Sequence, residues 1–131
     1  MRYLLSIYVD ESGFATATPE DREQMSSAYA NFTDEVDKAG VLRGGDGLQP
    51  SATSTTVRLR DGEVLLTDGP FAETREQLAG FYLLECADLD EAVGWAGRIP
   101  GAQWGAVEVR PVMIYENERL GSANREAAAR G

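Results

Sequence analysis

The sequence predicts an α+β domain with a ferredoxin-like core. The observations that predict it are apolar runs with strand-like alternation, two segments with helix-start signals, and an Asp-Gly turn between two of the runs. Their order is strand, helix, hairpin, strand, helix, strand. A ferredoxin-like core has the order βαββαβ, so an extra β-hairpin precedes the third core strand. With 131 residues, of which 43% are apolar, the chain suits one folded domain.

The first strand and the first helix carry clear local signals. Residues 3–9 alternate between two faces, and the run is too short for a signal peptide and lacks a small-residue cleavage site. Thr18 caps the helix and Pro19 suits its first turn. Gly40 ends it. The apolar stripe of this helix consists of Met25, Tyr29, Phe32, Val36 and Ala39. We interpret the stripe as core packing, with Tyr29 as the member whose hydroxyl could reach a pocket.

The glycine-rich residues 41–48 invite comparison with a phosphate-binding loop. Such a loop needs a following helix whose N-terminus faces the anion, but Gln49, Pro50 and a Ser/Thr run follow here. A bent strand and turn is therefore the better interpretation. Residues 55–60 and 63–67 then form a hairpin, because Asp61-Gly62 between them is a strong two-residue turn signal.

The last third of the chain supplies a strand, a helix and a final strand. Residues 80–86 are predicted as a strand, and Asp88 with Glu91 three residues later begins the second helix. The apolar face of this helix is expected to contain Leu89, Ala92, Val93, Ala96 and Ile99. The final strand, residues 105–115, places Glu108 and Arg110 on one face and Val107 and Val109 on the other. The domain is predicted to span residues 1–115, and residues 116–131 form a polar C-terminal tail that should add little to the core.

Residues 67–80 break the chain between two apolar strands. Gly69 can adopt backbone angles that are closed to other residues, and Pro70 fixes its own φ and restricts the residue before it. Asp68 is thereby held at a strand end beside a rigid bend, with Phe71 as the expected anchor. The run from Asp68 to Phe71, followed by Glu-Thr-Arg-Glu-Gln-Leu at 73–78, resembles the signature of the DGPF-type branch of the YCII-related family.

The resemblance runs from about residue 1 to residue 115 and implies a ferredoxin-like fold in its dimeric α+β barrel form. The residues favour a dimer as well, since several strands are apolar on both faces and two helices can cover only one face of the sheet. A His–Asp pair has been suggested as catalytic in other YCII-related proteins. This chain contains no histidine and departs from that pattern. Proteins that resemble this branch often accompany alternative sigma factors, which implies signalling.

Charge and composition exclude several functions. The net charge of −10 and the lack of a Lys/Arg cluster argue against direct nucleic-acid binding and against anionic membranes. One cysteine excludes an internal disulfide, and Cys86, at the end of an apolar strand, is interpreted as buried filler. We expect a cytoplasmic protein.

The lack of histidine also narrows the chemistry. It removes Ser-His-Asp and Cys-His catalysis and the commonest metal ligand. Carboxylates alone can bind hard cations, and the candidates here are Asp68, Glu73 and Glu76. Their spacing does not match a known metal-binding loop, so we expect neither a metal nor another cofactor.

A carboxylate–guanidinium constellation remains as the candidate site. Asp68 is the candidate catalytic group, and the candidate ligand-binding residues are Arg58, Gly69, Pro70, Phe71, Glu73, Arg75, Glu108 and Arg110. If Arg110 points between two sheets it needs a partner, which Asp68 or Glu108 could supply. Arginine would hold an anionic or carbonyl group while Asp68 moves a proton. The competing interpretation is a structural ion-pair network that holds the bend and the dimer.

Three functions compete at this stage. The first is an isomerase- or lyase-type enzyme acting on a small metabolite, by analogy with other dimeric α+β barrels. The second is a non-catalytic binding or regulatory module with a sigma-factor partner. The third is a purely structural homodimer. A metabolite bound in the pocket would favour the first two over the third.

Overall fold

A computed structural model describes residues 1–115, which form one main sheet, two helices and a separate hairpin. The main sheet contains four antiparallel strands: β1 (Arg2–Val9), β2 (Leu42–Gly47), β5 (Gln77–Glu85) and β6 (Ala106–Pro111). Their spatial order is β2-β5-β1-β6. Helices α1 (Pro19–Lys38) and α2 (Leu89–Ala96) connect β1 to β2 and β5 to β6. This is the predicted ferredoxin-like core, with the order βαββαβ.

Local capping signals determine where α1 begins and ends. The Thr18 hydroxyl accepts from the Asp21 backbone N–H at 3.1 Å, and the Asp21 carboxylate accepts from the Thr18 N–H at 3.0 Å. This reciprocal pair is a capping box. Gly40, with φ at +76°, ends the helix as predicted. Of the predicted stripe, Phe32 and Val36 are buried, whereas Ala39 is exposed because it caps the last turn beyond the core.

Helix α2 is shorter than the sequence predicts. Its buried face also contains fewer of the predicted apolar side chains. Asp88 caps it by accepting from the Glu91 N–H at 2.9 Å, but the helix ends at Ala96 and a 3₁₀ turn, Pro100–Gln103, follows. Ala92 and Ala96 face the core, whereas Leu89 and Val93 are 51% and 52% exposed. The prediction was wrong for these two side chains, because the helix approaches the sheet on its alanine side.

The core lies between the helices and one face of the sheet. In that face, Leu5 is opposite Tyr82 on β5 and Val109 on β6, and Tyr3 is opposite Leu84. Phe32 of α1 contacts the Tyr82 ring edge to face, with centroids 5.0 Å apart. The buried apolar residues are Tyr3, Leu5, Ile7, Phe32, Val36, Tyr82, Leu84, Cys86, Ala92, Ala96 and Ile99. Among residues 1–115, no helix is long and apolar enough to span a membrane.

The predicted hairpin is confirmed, and it forms a two-stranded sheet of its own. It consists of β3 (Thr55–Arg60) and β4 (Glu63–Asp68). Asp61 and Gly62 have φ values of +51° and +78°, the positive pair that a type I′ turn requires. A further 3₁₀ turn, Ser51–Thr53, precedes β3.

The strand boundaries differ from the predicted ones in two places. Strand β5 begins at Gln77 rather than at residue 80, because Gln77 and Leu78 pair with the end of β1 beyond a bulge. Strand β6 ends at Pro111 rather than at residue 115, and Met113, Ile114 and Tyr115 are exposed. The predicted bend in β2 is confirmed by a register shift between Leu42 and Gly44. The predicted tail, 116–131, lies outside the described residues.

Candidate functional site

The sheet face opposite the helices is the first part of the candidate site. Alternation along the strands places Leu4, Ser6, Phe81, Leu83, Glu108 and Arg110 on this face. We call these six residues the open face. Leu4 lies between Leu83 and Arg110, and Ser6 lies between Phe81 and Glu108. Ser6 is only 6% exposed, since its larger neighbours surround it.

Arg110 pairs with Glu108 on the open face. A guanidinium nitrogen of Arg110 lies 2.7 Å from Glu108 Oε1. Both side chains are partly exposed, so the pair contributes little to the stability of the monomer. Of the two partners predicted for Arg110, the structure shows Glu108. Asp68 makes no salt bridge within residues 1–115.

The Gly-Pro bend is the second part of the site, and it is bound to the hairpin. Gly69 has φ at +101° and donates its N–H to the carbonyl of Ser54 at 2.7 Å. The Thr56 hydroxyl donates to the carbonyl of Gly69 at 2.9 Å. These two bonds hold the bend against β3. Asp68 is therefore fixed beside a rigid bend, as predicted, and its side chain is exposed.

Phe71, the expected anchor of the bend, does not enter the core of residues 1–115. It is 72% exposed, and the guanidinium of Arg58 lies over its ring, 4.8 Å from the centroid. The bend projects from the hairpin rather than from the main sheet, so the ring has no core to enter. Arg58 and Phe71 instead form one exposed cation–π unit.

Glu73 and Arg75 lie in the loop between the bend and β5. Both are exposed, and Arg75 is close enough to Asp10 to favour its charged form. The pKa of Asp10 is lowered chiefly by hydrogen bonds from Ser12, with Arg75 as a minor contribution. The predicted site residues therefore lie in three separate places: the hairpin with its bend, the loop before β5, and the open face. Within residues 1–115, no salt bridge joins these three places.

Hydrogen bonds at the end of β1 hold the base of this loop. The Glu11 carboxylate accepts from the Ser51 N–H at 2.7 Å and from the Ser51 hydroxyl at 2.6 Å. The Glu11 N–H donates to the side-chain oxygen of Gln77 at 2.9 Å. The segment before the hairpin and the start of β5 are thereby joined to the same acidic residue. Glu11 was not among the predicted site residues, and its role is structural.

A second group of polar side chains lies on the helix side of the sheet and was not predicted as a site. Tyr29 and Thr33 of α1 and Tyr82 of β5 are among the residues along a broad, open groove on the helix side of the sheet. Tyr82 and Thr33 are joined by a hydrogen bond of 2.8 Å between their hydroxyls. In the sequence, Tyr29 was the one residue of this group that pointed to a pocket. Its helical spacing with Met25, Phe32 and Val36 is also what a residue packed in the core would show.

The described residues contain no group of three His, Cys, Asp or Glu side chains placed to hold a metal ion. Cys86 is 2% exposed and is not part of a disulfide. Burial raises the pKa of its thiol, and nearby carboxylates add to the effect. Such a thiol is a poor nucleophile, so the predicted role of buried filler is supported.

The fold and the inserted hairpin define this molecule as an α+β protein with a ferredoxin-like core. The chain belongs to the YCII-related family, because the model of the YCII-related domain matches residues 1–116. The chain is also 38% identical over 124 residues to an uncharacterized protein of Rhizobium meliloti (strain 1021), in a match that covers 93% of this chain and all of that protein.

Proposed function

We propose that this chain is a small-molecule-binding homodimer of the DGPF-type branch of the YCII-related family. The branch assignment is carried by the Asp-Gly-Pro-Phe bend, 68–71, and by its attachment to the hairpin. The observation that carries the dimer is a pair of apolar surfaces, one on the hairpin and one on the open face, that the monomer leaves uncovered.

The hairpin supplies the more exposed of the two surfaces. Val57 is opposite Leu66 and Leu59 is opposite Val64, so all four side chains share one side. Each of them is at least 61% exposed. A two-stranded hairpin with no packing partner is only marginally stable in water. A second copy of the chain that covers this side would remove the exposed apolar area from water.

The open face supplies the other surface. Leu4, Phe81 and Leu83 are only partly covered, although they lie in the two central strands of the sheet. Both helices pack on the opposite face, so the monomer has no second layer for this side. Sheet-to-sheet contact between two copies supplies that layer and leaves Arg110 at the rim of the enclosed space.

The proposed ligand is a small anionic or carbonyl metabolite held between the sheets. Arg110 is bound to Glu108 through one guanidinium nitrogen, and a guanidinium has further N–H groups in a planar fork suited to carboxylates and phosphates. Arg58 and Phe71 would contact the ligand from the hairpin. An isomerase- or lyase-type reaction would use Asp68 as the group that moves a proton.

Sedimentation of the purified chain at micromolar concentration tests the dimer. Wild type should sediment as a dimer. Leu59→Glu places a charge on the apolar side of the hairpin and should shift the protein toward monomer. Thr67→Glu, on the opposite side of the same hairpin, is the matched control and should stay dimeric. A well-folded wild-type monomer, or equal behaviour of the two variants, would contradict the proposal.

Thermal-shift screening with a metabolite library tests the ligand. Ligands that raise the melting temperature of wild type should do so less for Arg110→Gln. Lys38→Gln is the control, because Lys38 is exposed in the last turn of α1, on the helix side of the sheet. A library in which no anion or carbonyl compound stabilises the dimer would argue against a binding pocket.

The alternative function is a non-catalytic regulatory module associated with sigma-factor-type transcription control. The exposed apolar side of the hairpin supports it equally, since a partner protein could cover this side in place of a second copy. Saturable binding of a purified alternative sigma factor by wild type, lost in Leu59→Glu and kept in Thr67→Glu, would favour this alternative. The cytoplasmic location and the domain boundary at residue 115 stay predictions.

A further inference from the structure

We infer that the ligand of the open face is a hydroxy acid, a compact apolar carboxylate with one hydroxyl group away from the carboxylate, and that Ser6 and Glu108 bind this hydroxyl. The inference rests on the proposed function, because it specifies the ligand of the same pocket. It also adds a binding residue, since Ser6 was not among the predicted site residues.

Ser6 is a buried polar residue in the middle of the sheet. Tyrosine and cysteine apart, it is the one polar residue among residues 1–115 that is buried. Its hydroxyl makes no hydrogen bond within those residues. The oxygen is not fully enclosed, because Glu85 Oε2 is the one fully enclosed side-chain oxygen or nitrogen there that lacks a partner. A buried hydroxyl without a partner costs free energy, and a ligand on the open face can supply that partner.

Two charged side chains continue from Ser6 along the open face. Ser6 is directly opposite Glu108 in the pairing of β1 with β6, and such residues have Cβ atoms about 4.5–5.5 Å apart. Glu108 Oε1 is in turn 2.7 Å from a guanidinium nitrogen of Arg110. The other oxygen of Glu108 makes no salt bridge in the described part of the chain. A hydroxyl, a carboxylate and a guanidinium therefore follow one another across the two strands.

Apolar side chains adjoin these polar groups on the β5 side. Phe81 is opposite Ser6, and Leu83 is opposite Leu4. All of these apolar side chains are only partly covered. Leu4 is also opposite Arg110 on β6. A ligand whose carboxylate binds Arg110 can therefore place its apolar body over Leu4 and its far end beside Ser6.

The polar groups select the chemistry of the two ends of the ligand. The guanidinium of Arg110 has N–H groups that Glu108 does not use, and they suit a carboxylate. At the far end, the Glu108 carboxylate can only accept, whereas the Ser6 hydroxyl has a proton to donate. A ketone oxygen has no proton for Glu108, and an ammonium group has no lone pair for Ser6. A hydroxyl group both donates and accepts, so it satisfies both side chains.

Calorimetric titration with 4-hydroxybenzoate tests the inference, with benzoate and 4-hydroxybenzamide as matched probes. Wild type should bind 4-hydroxybenzoate about tenfold more tightly than benzoate, which lacks the hydroxyl. It should also bind 4-hydroxybenzamide more weakly, because the amide lacks the negative charge. Amide chemical shifts should change on the open face, at Leu4, Ser6 and Phe81.

Two variants separate the two ends of the ligand. Ser6→Ala should weaken 4-hydroxybenzoate binding about tenfold and leave benzoate binding unchanged, whereas Arg110→Gln should weaken both. Ser6→Ala should not lower the melting temperature of the ligand-free protein, because the removed hydroxyl has no partner there. Thr33→Val is the control with the opposite pattern. Its hydroxyl forms two hydrogen bonds on the helix side, so this variant should melt earlier and bind 4-hydroxybenzoate as wild type does.

The outcomes distinguish failure of the inference from failure of the proposed function. The inference is overturned, and the proposed pocket stands, if library anions bind through Arg110 but 4-hydroxybenzoate binds no more tightly than benzoate. Equal binding of 4-hydroxybenzoate to wild type and Ser6→Ala also overturns it. In that case, a lowered melting temperature of ligand-free Ser6→Ala would show that the hydroxyl bonds to the second copy of the chain. If neither these probes nor any library compound binds, both the inference and the proposed pocket fail.

Discussion

The guanidinium of Arg58 covers the ring of Phe71 at 4.8 Å and thereby joins strand β3 to the residue that follows the Gly69-Pro70 bend. The same bend is held to β3 by backbone and hydroxyl hydrogen bonds from Gly69 and Thr56. The hairpin and the Asp-Gly-Pro-Phe segment therefore act as one structural unit. This unit is attached to the main sheet through the segments before β3 and after the bend.

The first prediction concerns this cation–π pair. A double-mutant cycle of Arg58→Ala and Phe71→Ala, measured by denaturant unfolding, should give a coupling free energy of about 0.5–1 kcal/mol, because the pair is exposed. Arg60→Ala is the control and should show no coupling to Phe71→Ala. A loss above about 3 kcal/mol for Phe71→Ala alone would mean that the ring is buried in the assembled protein.

The second prediction concerns Asp68. A buried pair of Asp68 with Arg110 would make Asp68→Asn cost about 3–5 kcal/mol. The structure shows Arg110 with Glu108 and leaves Asp68 exposed, so we expect a loss of at most about 1 kcal/mol in the free energy of unfolding. We also expect Asp68→Asn to weaken ligand binding modestly. An Asp68→Asn dimer that keeps its stability and its ligand but loses turnover would show that Asp68 is catalytic.

The third prediction compares two glycines. An added Cβ at Gly105 would overlap the carbonyl oxygen of Tyr8, so Gly105→Ala should cost about 3 kcal/mol. Gly94, within α2, has nothing within 4 Å of such a Cβ, so Gly94→Ala should stabilise by about 0.5–1 kcal/mol through helix propensity. Thermal unfolding of both variants is the measurement. Similar melting temperatures for the two would contradict the close approach at Gly105.

The fourth prediction concerns the start of α1 and its pH dependence. Hydrogen bonds with Thr18, first from its backbone N–H, hold the pKa of Asp21 below its ordinary value of 3.8. The stability that this group contributes is therefore fully present above pH 3.8, and it is lost as the pH falls through the lower folded pKa.

Thr18→Ala should lower the free energy of unfolding at neutral pH by about 1 kcal/mol. The variant keeps the backbone N–H at this position and removes only the hydroxyl, so it should raise the pKa of Asp21 part of the way toward its ordinary value in a carboxyl NMR titration. Asp10, whose pKa is lowered by Ser12 elsewhere in the chain, is the internal control and should titrate unchanged. An unaltered Asp21 titration would show that the Thr18 hydroxyl does not contribute to the lowered pKa of Asp21.

Much of the fold was predictable because its signals are local. The positive-φ turn at Asp61-Gly62, the capping box at Thr18 and the termination at Gly40 each depend on residues within one turn of chain. Once these boundaries are known, the order of elements restricts the topology to very few arrangements. The alternation in β6 likewise placed Glu108 and Arg110 together on one face correctly.

The site was less predictable, because its groups come together only through packing between distant segments. Which carboxylate pairs with Arg110, and whether Phe71 enters the core, depend on where the hairpin lies relative to the main sheet. The exposure of Leu89 and Val93 depends on which side of α2 meets the sheet, although the spacing of these residues suits a buried stripe. Thr33 and Tyr82 lie 49 positions apart in the chain, and only the packing of α1 on the sheet brings their hydroxyls within 2.8 Å of each other. Sequence determined the elements and their order, since each is set by nearby residues. Tertiary structure decided the contacts between side chains. These contacts depend on strand register and on how elements that are distant in the sequence pack against each other.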